Sequence, residues 1–239
     1  GSPTEVAILQ ASTQVLGGAD KAKEVRDARE YNKLFEIPFN SENKWMLTIH
    51  GEKGAKSAFM VLKGAPDRVL KYCAVDGGQA GEAQIEKKMQ DLMGQARRVL
   101  CIARRDLAPS EIPPGGKFEG TSAADCNFPL KGFAFVGLYG IEDPPKEGVD
   151  KAVIKAQKAG VKVVMVTGDH PDTARAIAHR INILKPPHEE PDEGDGLRGA
   201  AEFAVITGTM LESRVPKGDN FADDESPELV AWWTKATTH

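Results

Sequence analysis

Val163-Val164-Met165-Val166-Thr167-Gly168-Asp169-His170-Pro171 is the stretch on which the reading of the fold turns. The apolar run from Val161 to Val166 has the pattern of a strand buried on both faces of a parallel sheet. It ends in Thr-Gly-Asp, and a helix is expected directly after it, over Asp172 to Ile183. In open α/β sheets, ligands sit beyond the carboxyl ends of strands. There a Thr hydroxyl and free helix amides hold a phosphate. The plainer reading of Asp169 is a cap on the helix that follows.

Around that stretch the same grammar continues. Gly132 to Leu138 is an expected strand, Lys146 to Ala159 a helix stopped by Gly160, Ala204 to Ile206 a short strand and Pro227 to Thr237 a last helix. Residues 185–198 are a loop rich in Pro, Asp and Glu. Alternating strands and helices predict a parallel α/β sheet over 131–239. Upstream, over 1–130, the pattern is α+β. Short turns separate expected strands at Leu34–Phe39, Trp45–His50 and Ala58–Leu62, which read as antiparallel hairpins. Helices are expected from Pro3 to Gln10 behind a Ser2–Glu5 capping box, from Asp20 to Tyr31, from Asp67 to Tyr72, and from Ala83 to Ala96. Val99 to Ala103 is a further strand, and 107–128 a long loop.

Composition narrows the function classes. The 239 residues carry 31 Lys and Arg against 35 Asp and Glu, a net charge of −4 that argues against a dedicated nucleic-acid binder. Mean hydropathy is −0.36, and no apolar run approaches the roughly 20 residues that span a bilayer. Nor does the start of the chain have the pattern of a signal peptide. The three cysteines, Cys73, Cys101 and Cys126, are scattered without a CxxC pair, which fits a reducing compartment better than a zinc site or a disulfide framework. There is no GxxxxGK(S/T), which excludes a P-loop NTPase, and no GxGxxG.

A second candidate site lies in the first half. Lys63-Gly64-Ala65-Pro66-Asp67 ends a strand where glycine lets a ligand approach the backbone, so Lys63 is either a phosphate contact or a solvated lysine at an ordinary turn. Phe39, before the polar turn Asn40-Ser41-Glu42-Asn43-Lys44, is either a base-stacking ring or a core residue at a strand end. Arg97 and Arg98 precede a strand. His188-Glu189-Glu190 reads as part of a flexible acidic loop, and no metal ligands are assigned in the chain.

Taken in order, several segments resemble the cytoplasmic part of P-type cation-transporting ATPases. They are Ser2-Pro3-Thr4-Glu5-Val6-Ala7, Glu36-Ile37-Pro38-Phe39-Asn40-Ser41 with Asn43-Lys44, Lys63-Gly64-Ala65-Pro66-Asp67, Arg98-Val99-Leu100, Asp143-Pro144-Pro145-Lys146 and Met165-Val166-Thr167-Gly168-Asp169-His170. The wording is most similar to the sodium/potassium and proton/potassium pump branch. The resemblance implies a nucleotide-binding domain over 1–130, incomplete at its start, with an antiparallel sheet and helices. It implies part of a haloacid-dehalogenase-like, Rossmann-like phosphorylation domain over 131–239.

The same resemblance implies residue roles. Phe39 would stack on adenine, Lys44, Lys63 and Gly64 would line the nucleotide slot, Arg98 would contact phosphates or ribose, and Glu5 would face the adenine amino group. Thr167, Gly168 and Asp143 would lie beside the phosphorylated aspartate and its Mg2+. Ser2 and Asp67 depart from the family's Asp and Glu. The family's Asp-Lys-Thr-Gly-Thr and Gly-Asp-Gly-Val-Asn-Asp motifs do not occur in this sequence. The chain therefore reads as an internal, soluble piece of a pump that binds ATP at the cytoplasmic face of a membrane, expectedly the plasma membrane. The nucleophile is lacking, and the rest of the pump, with the transported cation, lies outside the piece. A soluble haloacid-dehalogenase-type phosphohydrolase and a non-catalytic nucleotide-binding module are the alternatives.

Overall fold

The computed structural model describes residues 2–27, 32–51, 57–184 and 205–214. The chain divides into two compact units, Gly1–Met93 with Arg97–Asp143, and Gly94–Ala96 with Pro144–His239.

The first unit is built on a six-stranded sheet, comprising β1 (Asn32–Ile37), β2 (Trp45–Gly51), β3 (Ala58–Gly64), β4 (Cys73–Ala74), β5 (Arg97–Leu107) and β6 (Phe133–Glu142). Their order is β1-β2-β3-β5-β6-β4. All pairs are antiparallel except β4 with β6. β2 and β3 alternate strictly between buried and half-buried residues, as a sheet with one core face requires. Trp45, Leu47, Ile49, Met60 and Leu62 supply that face, with Cys101 and Ala103 from β5 and Phe133 from β6. Fully burying one such large side chain contributes about 1.5–3 kcal/mol before entropic costs.

Helices α1 (Pro3–Val15), α2 (Ala19–Asp27), α3 (Pro66–Val69) and α4 (Gly78–Gly94) complete the unit. α1 outruns the expected end at Gln10 because no breaker occurs before Gly17 and Gly18, both at positive φ. α2 is described only to Asp27; the expected end at Tyr31 lies outside the described residues. α4 stops at Gly94, and Ala96 stands at φ 56° outside it. β1 ends at Ile37, short of the expected Phe39, because Pro38 has no N–H to give the ladder. The expected 107–128 loop does have irregular backbone, with two 3-10 turns at Pro109–Glu111 and Pro114–Gly116. It also buries Phe118 and Phe128, which pack edge-on to each other at 5.7 Å and against Phe35.

Two expectations are corrected. The strand at 132–138 does not open a parallel sheet in the second half. As β6 it pairs antiparallel with β5 from Arg97↔Glu142 to Arg104↔Ala134, and so belongs to the first unit, which runs on to Asp143. The run from Val161 to Val166 forms no strand and is not buried. Val161, Val164 and Val166 are 55%, 71% and 93% exposed. No strand pairs with it among the described residues, and without a partner strand a β-prone sequence has no ladder in which to place its backbone hydrogen bonds.

The second unit holds α5 (Val149–Lys158), α6 (Pro171–Arg180) and α7 (Gly208–Arg214). α5 begins at Val149, three residues later than expected, because Gly148 before it sits at φ 83°. Among the described residues of this unit, Ala96, Val153 from α5, Thr173, Ala174 and Ala178 from α6, and Ile181 beyond are buried. The Gln157 amide donates to the Asn182 carbonyl at 2.9 Å, which joins the ends of the two helices. Val205 and Ile206 are not strand. Ala204, the 185–198 loop and the helix expected over 227–237 lie outside the described residues.

Candidate nucleotide site

Antiparallel register gathers most of the first set of candidate residues at one end of the sheet. β2 starts where β3 ends, with Trp45 opposite Gly64 and Met46 opposite Lys63. Gly64 in turn faces Cys101, so the start of β5, with Arg98, lies at the same end. Lys63 faces Ile102, and Arg98 is an even number of residues away along β5, which puts both on the face opposite the core. Phe39 follows the last residue of β1 at this end and is 61% exposed, so it is not the core aromatic of the alternative reading.

The turn between Phe39 and β2 is tightly specified. The Asn43 N–H donates to the Asn40 side-chain oxygen at 2.7 Å and the Lys44 N–H to the Asn40 carbonyl at 2.9 Å. Lys44 itself adopts the left-handed conformation at φ 56°. Its carbonyl accepts from the Ala65 N–H at 2.9 Å, which draws that strand end against Gly64. A Cβ on Gly64 would stand 2.4 Å from the Lys44 carbonyl oxygen and 2.5 Å from the Trp45 Cα. Glycine is therefore required by the backbone crossing itself, whether or not a ligand approaches. Trp45 packs edge-on against Tyr72 at 6.0 Å beneath the turn.

Glu5 belongs to this end as well. The Ser2 hydroxyl caps α1 by accepting from the Glu5 N–H at 3.4 Å. The Glu5 carboxylate does not close the capping box; it accepts from the Lys63 ammonium at 3.3 Å, which the sequence did not suggest.

The second set is divided. Asp143 is the last residue of the first unit, whereas Thr167 and Gly168 lie in the second. Thr167 and Gly168 are exposed. The Thr167 hydroxyl donates to the Asp169 carboxylate at 3.0 Å and accepts from the Asp169 N–H at 3.1 Å. Asp169 is thus not the helix cap. His170 is, its Nδ1 accepting from the Asp172 N–H at 3.4 Å. The Thr167 environment is a turn after an exposed segment, not the end of a buried strand.

Two titration effects lie elsewhere in the first unit. Burial pushes the Cys101 thiol up to about 12, with nearby Cys73 adding to it. Burial likewise raises Cys73 and Cys126 to about 11, Asp125 contributing at Cys126. Such thiols stay protonated near neutrality and are poor nucleophiles. Asp125 is held well below the usual carboxylate range by hydrogen bonds from Ser122 and Thr121, hydroxyls and N–H groups together.

An exposed aromatic, two lysines, an arginine and a backbone-crowded glycine thus gather at one sheet end. The sequence model for the cytoplasmic N domain of P-type ATPases matches residues 1–148. The chain belongs to the P-type ATPase family. A second model, for haloacid dehalogenase-like hydrolases, matches residues 79–221 of this P-type ATPase chain. Similar proteins include the sodium/potassium-transporting ATPase subunit alpha-A of Artemia franciscana, 36% identical over 237 residues, covering 96% of this chain and 23% of that protein. The sodium/potassium-transporting ATPase subunit alpha-2 of Rattus norvegicus is 39% identical over 203 residues, covering 81% and 19%. The potassium-transporting ATPase alpha chain 2 of Oryctolagus cuniculus is 34% identical over 250 residues, covering 96% and 22%. The chain thus spans roughly a fifth to a quarter of the length of these curated relatives.

Among the described residues, no three or more His, Cys, Asp or Glu side chains form a group able to hold a metal ion. None of their helices is long and apolar enough to cross a membrane.

Proposed function

We propose that the first unit binds ATP at the sheet end marked by Phe39, Lys44, Lys63, Gly64 and Arg98, as the nucleotide-binding part of an ATP-driven cation pump. The observation that carries the proposal is the register. Trp45↔Gly64 and Gly64↔Cys101 bring three chain segments, far apart in sequence, to one end. The exposed Phe39 ring offers a face for adenine, and Lys44, Lys63 and Arg98 offer positive charge for phosphates. Glu5 is assigned to the adenine amino group in the bound state. The N-domain match over 1–148 supports the nucleotide-binding assignment and the domain identity.

The second part is proposed as a portion of the phosphorylation domain, of Rossmann-like type, in which Thr167 and Gly168 border the phosphorylated aspartate; Asp143, the last residue of the first unit, is proposed for the same role in the whole pump. The match over 79–221 supports this. In the pump, Mg2+ would neutralise charge on the transferred phosphoryl group. The described residues offer no ligand cluster for it. The whole pump would couple aspartyl phosphorylation to cation transport, of the sodium/potassium or proton/potassium type, at the cytoplasmic face of a membrane.

The test is a calorimetric ATP titration of wild type and Phe39→Ala. Stacking of a base on an aromatic is worth about 1–3 kcal/mol. The substitution should therefore weaken binding roughly five- to a hundred-fold. Superimposable curves would remove the adenine assignment. Incubation with γ-labelled ATP and Mg2+ should leave no acid-stable, hydroxylamine-sensitive label on the chain. A stoichiometric label at Asp143 or Asp169 would favour a phosphohydrolase instead.

A further inference from the structure

The Lys63 ammonium, a phosphate contact in the proposed site, already has an anion on it, the Glu5 carboxylate at 3.3 Å. Lys63 is the more enclosed partner, 22% exposed against 51% for Glu5. Both residues lie in the first unit but are 58 positions apart, so the pair ties α1 to the end of β3. α1 has few other ties. Thr4, Ala7, Ile8, Ala11 and Ser12 form a half-buried stripe along one side, yet none of its residues is buried. A second polar contact to the sheet joins Ser12 Oγ and the Tyr139 hydroxyl at 3.5 Å.

We infer that Glu5 is a built-in competitor that holds Lys63 until nucleotide phosphates displace it, and that phosphate binding thereby loosens the first turn of α1. The inference rests on the nucleotide reading of this sheet end and adds a regulatory contact to it. A phosphate chain offers the ammonium several anionic oxygens in place of one carboxylate. Three or more negative charges against one decide which anion holds Lys63 once the chain has entered. The displaced carboxylate is then free for a new partner, and the adenine amino group is the one assigned to it. Glu5 therefore acts in opposite senses on the two halves of the ligand. It opposes the phosphates in the free protein and supports the base in the complex.

Tripolyphosphate, which has no base, isolates the first effect. Exposed ion pairs are weak, and removing one competitor should tighten tripolyphosphate binding roughly two- to five-fold in Glu5→Gln. The gain should shrink with added salt. Glu24→Gln removes an equal charge from α2, where Glu24 pairs with Lys21, and should tighten binding less. In wild type, saturating tripolyphosphate should speed amide hydrogen exchange in the first turn of α1, and in Glu5→Gln that turn should exchange fast from the start. Equal tightening in Glu5→Gln and Glu24→Gln would overturn the competitor role, as would no binding of tripolyphosphate by Glu5→Gln. Unchanged exchange in α1 on binding would overturn the loosening. Failure of the adenine assignment reads differently, as Phe39→Ala binding ATP like wild type while the Glu5→Gln gain persists.

Discussion

β2 and the segment 161–166 are both short, apolar and rich in residues favoured in strands, yet they end up in opposite states. β2 lies between β1 and β3, with Trp45, Leu47 and Ile49 at 2% exposure or less. Residues 161–166 pair with no described strand, and Val166 is 93% exposed. Propensity is the same kind of signal in both, so the difference lies in the partners available. A strand is stabilised by cross-strand pairs and by the face they bury, and its own sequence supplies only half of either.

The largest test of this contrast is stability. Leu62→Ala, at a fully buried β3 position, should cost about 2–5 kcal/mol in denaturant unfolding of the first unit. Val164→Ser, in the exposed segment, should change stability by no more than about 0.5 kcal/mol. Comparable losses at the two positions would mean that 161–166 is packed in solution, and the contrast would collapse.

Next in size is Gly64→Ala. The added Cβ has no flexible side chain to push aside, since its nearest neighbours are backbone atoms of Lys44 and Trp45. Crowding of this kind costs about 1–3 kcal/mol. The same change should weaken ATP binding, because the Lys44 turn must move. A stable Gly64→Ala protein would show that the Lys44–Gly64 crossing is slack.

The sequence made the first unit's sheet legible because its strands alternate and its turns carry Asn, Gly and Pro. The pattern gives β1, β2 and β3 to within a few residues, and one difference is at Pro38, whose missing N–H ends β1 before Phe39. The grouping of the candidate residues is partly legible too. The motif segments around Phe39, Lys44, Lys63 and Arg98 pointed to one slot, and register draws them to one sheet end. Besides the exposed state of residues 161–166, three things are not legible, each for a non-local reason. β6 reads as a generic apolar strand, and only pairing with β5 decides its sheet. The Glu5–Lys63 pair links residues whose spacing carries no pattern. Phe118 and Phe128 sit in a segment whose composition says loop, although their aromatic character was a signal that the loop is anchored.

A smaller effect concerns acid. Asp125 has its folded pKa held below the ordinary carboxylate range, so its hydrogen bonds contribute stability above about pH 4, the ordinary Asp value. That contribution is lost as pH falls through the depressed folded value. Asp125→Asn should remove this part of the acid dependence, seen as a flatter stability profile below about pH 4 than in wild type. An unchanged acid profile would contradict the role of the Thr121–Asp125 loop. The smallest expected effect is Lys63→Ala on ATP affinity. The loss should be several-fold at low salt and shrink as salt is raised, since the ammonium is partly exposed.

The most direct test of the nucleotide assignment is a residue-by-residue backbone-amide NMR titration of the chain with ATP. The account predicts perturbations concentrated at residues 39–46, 63–65 and 98–100, with the first turn of α1 following, and little change at 161–169. Shifts centred on Thr167 to Asp169, with the Phe39 and Lys63 segments silent, would contradict it.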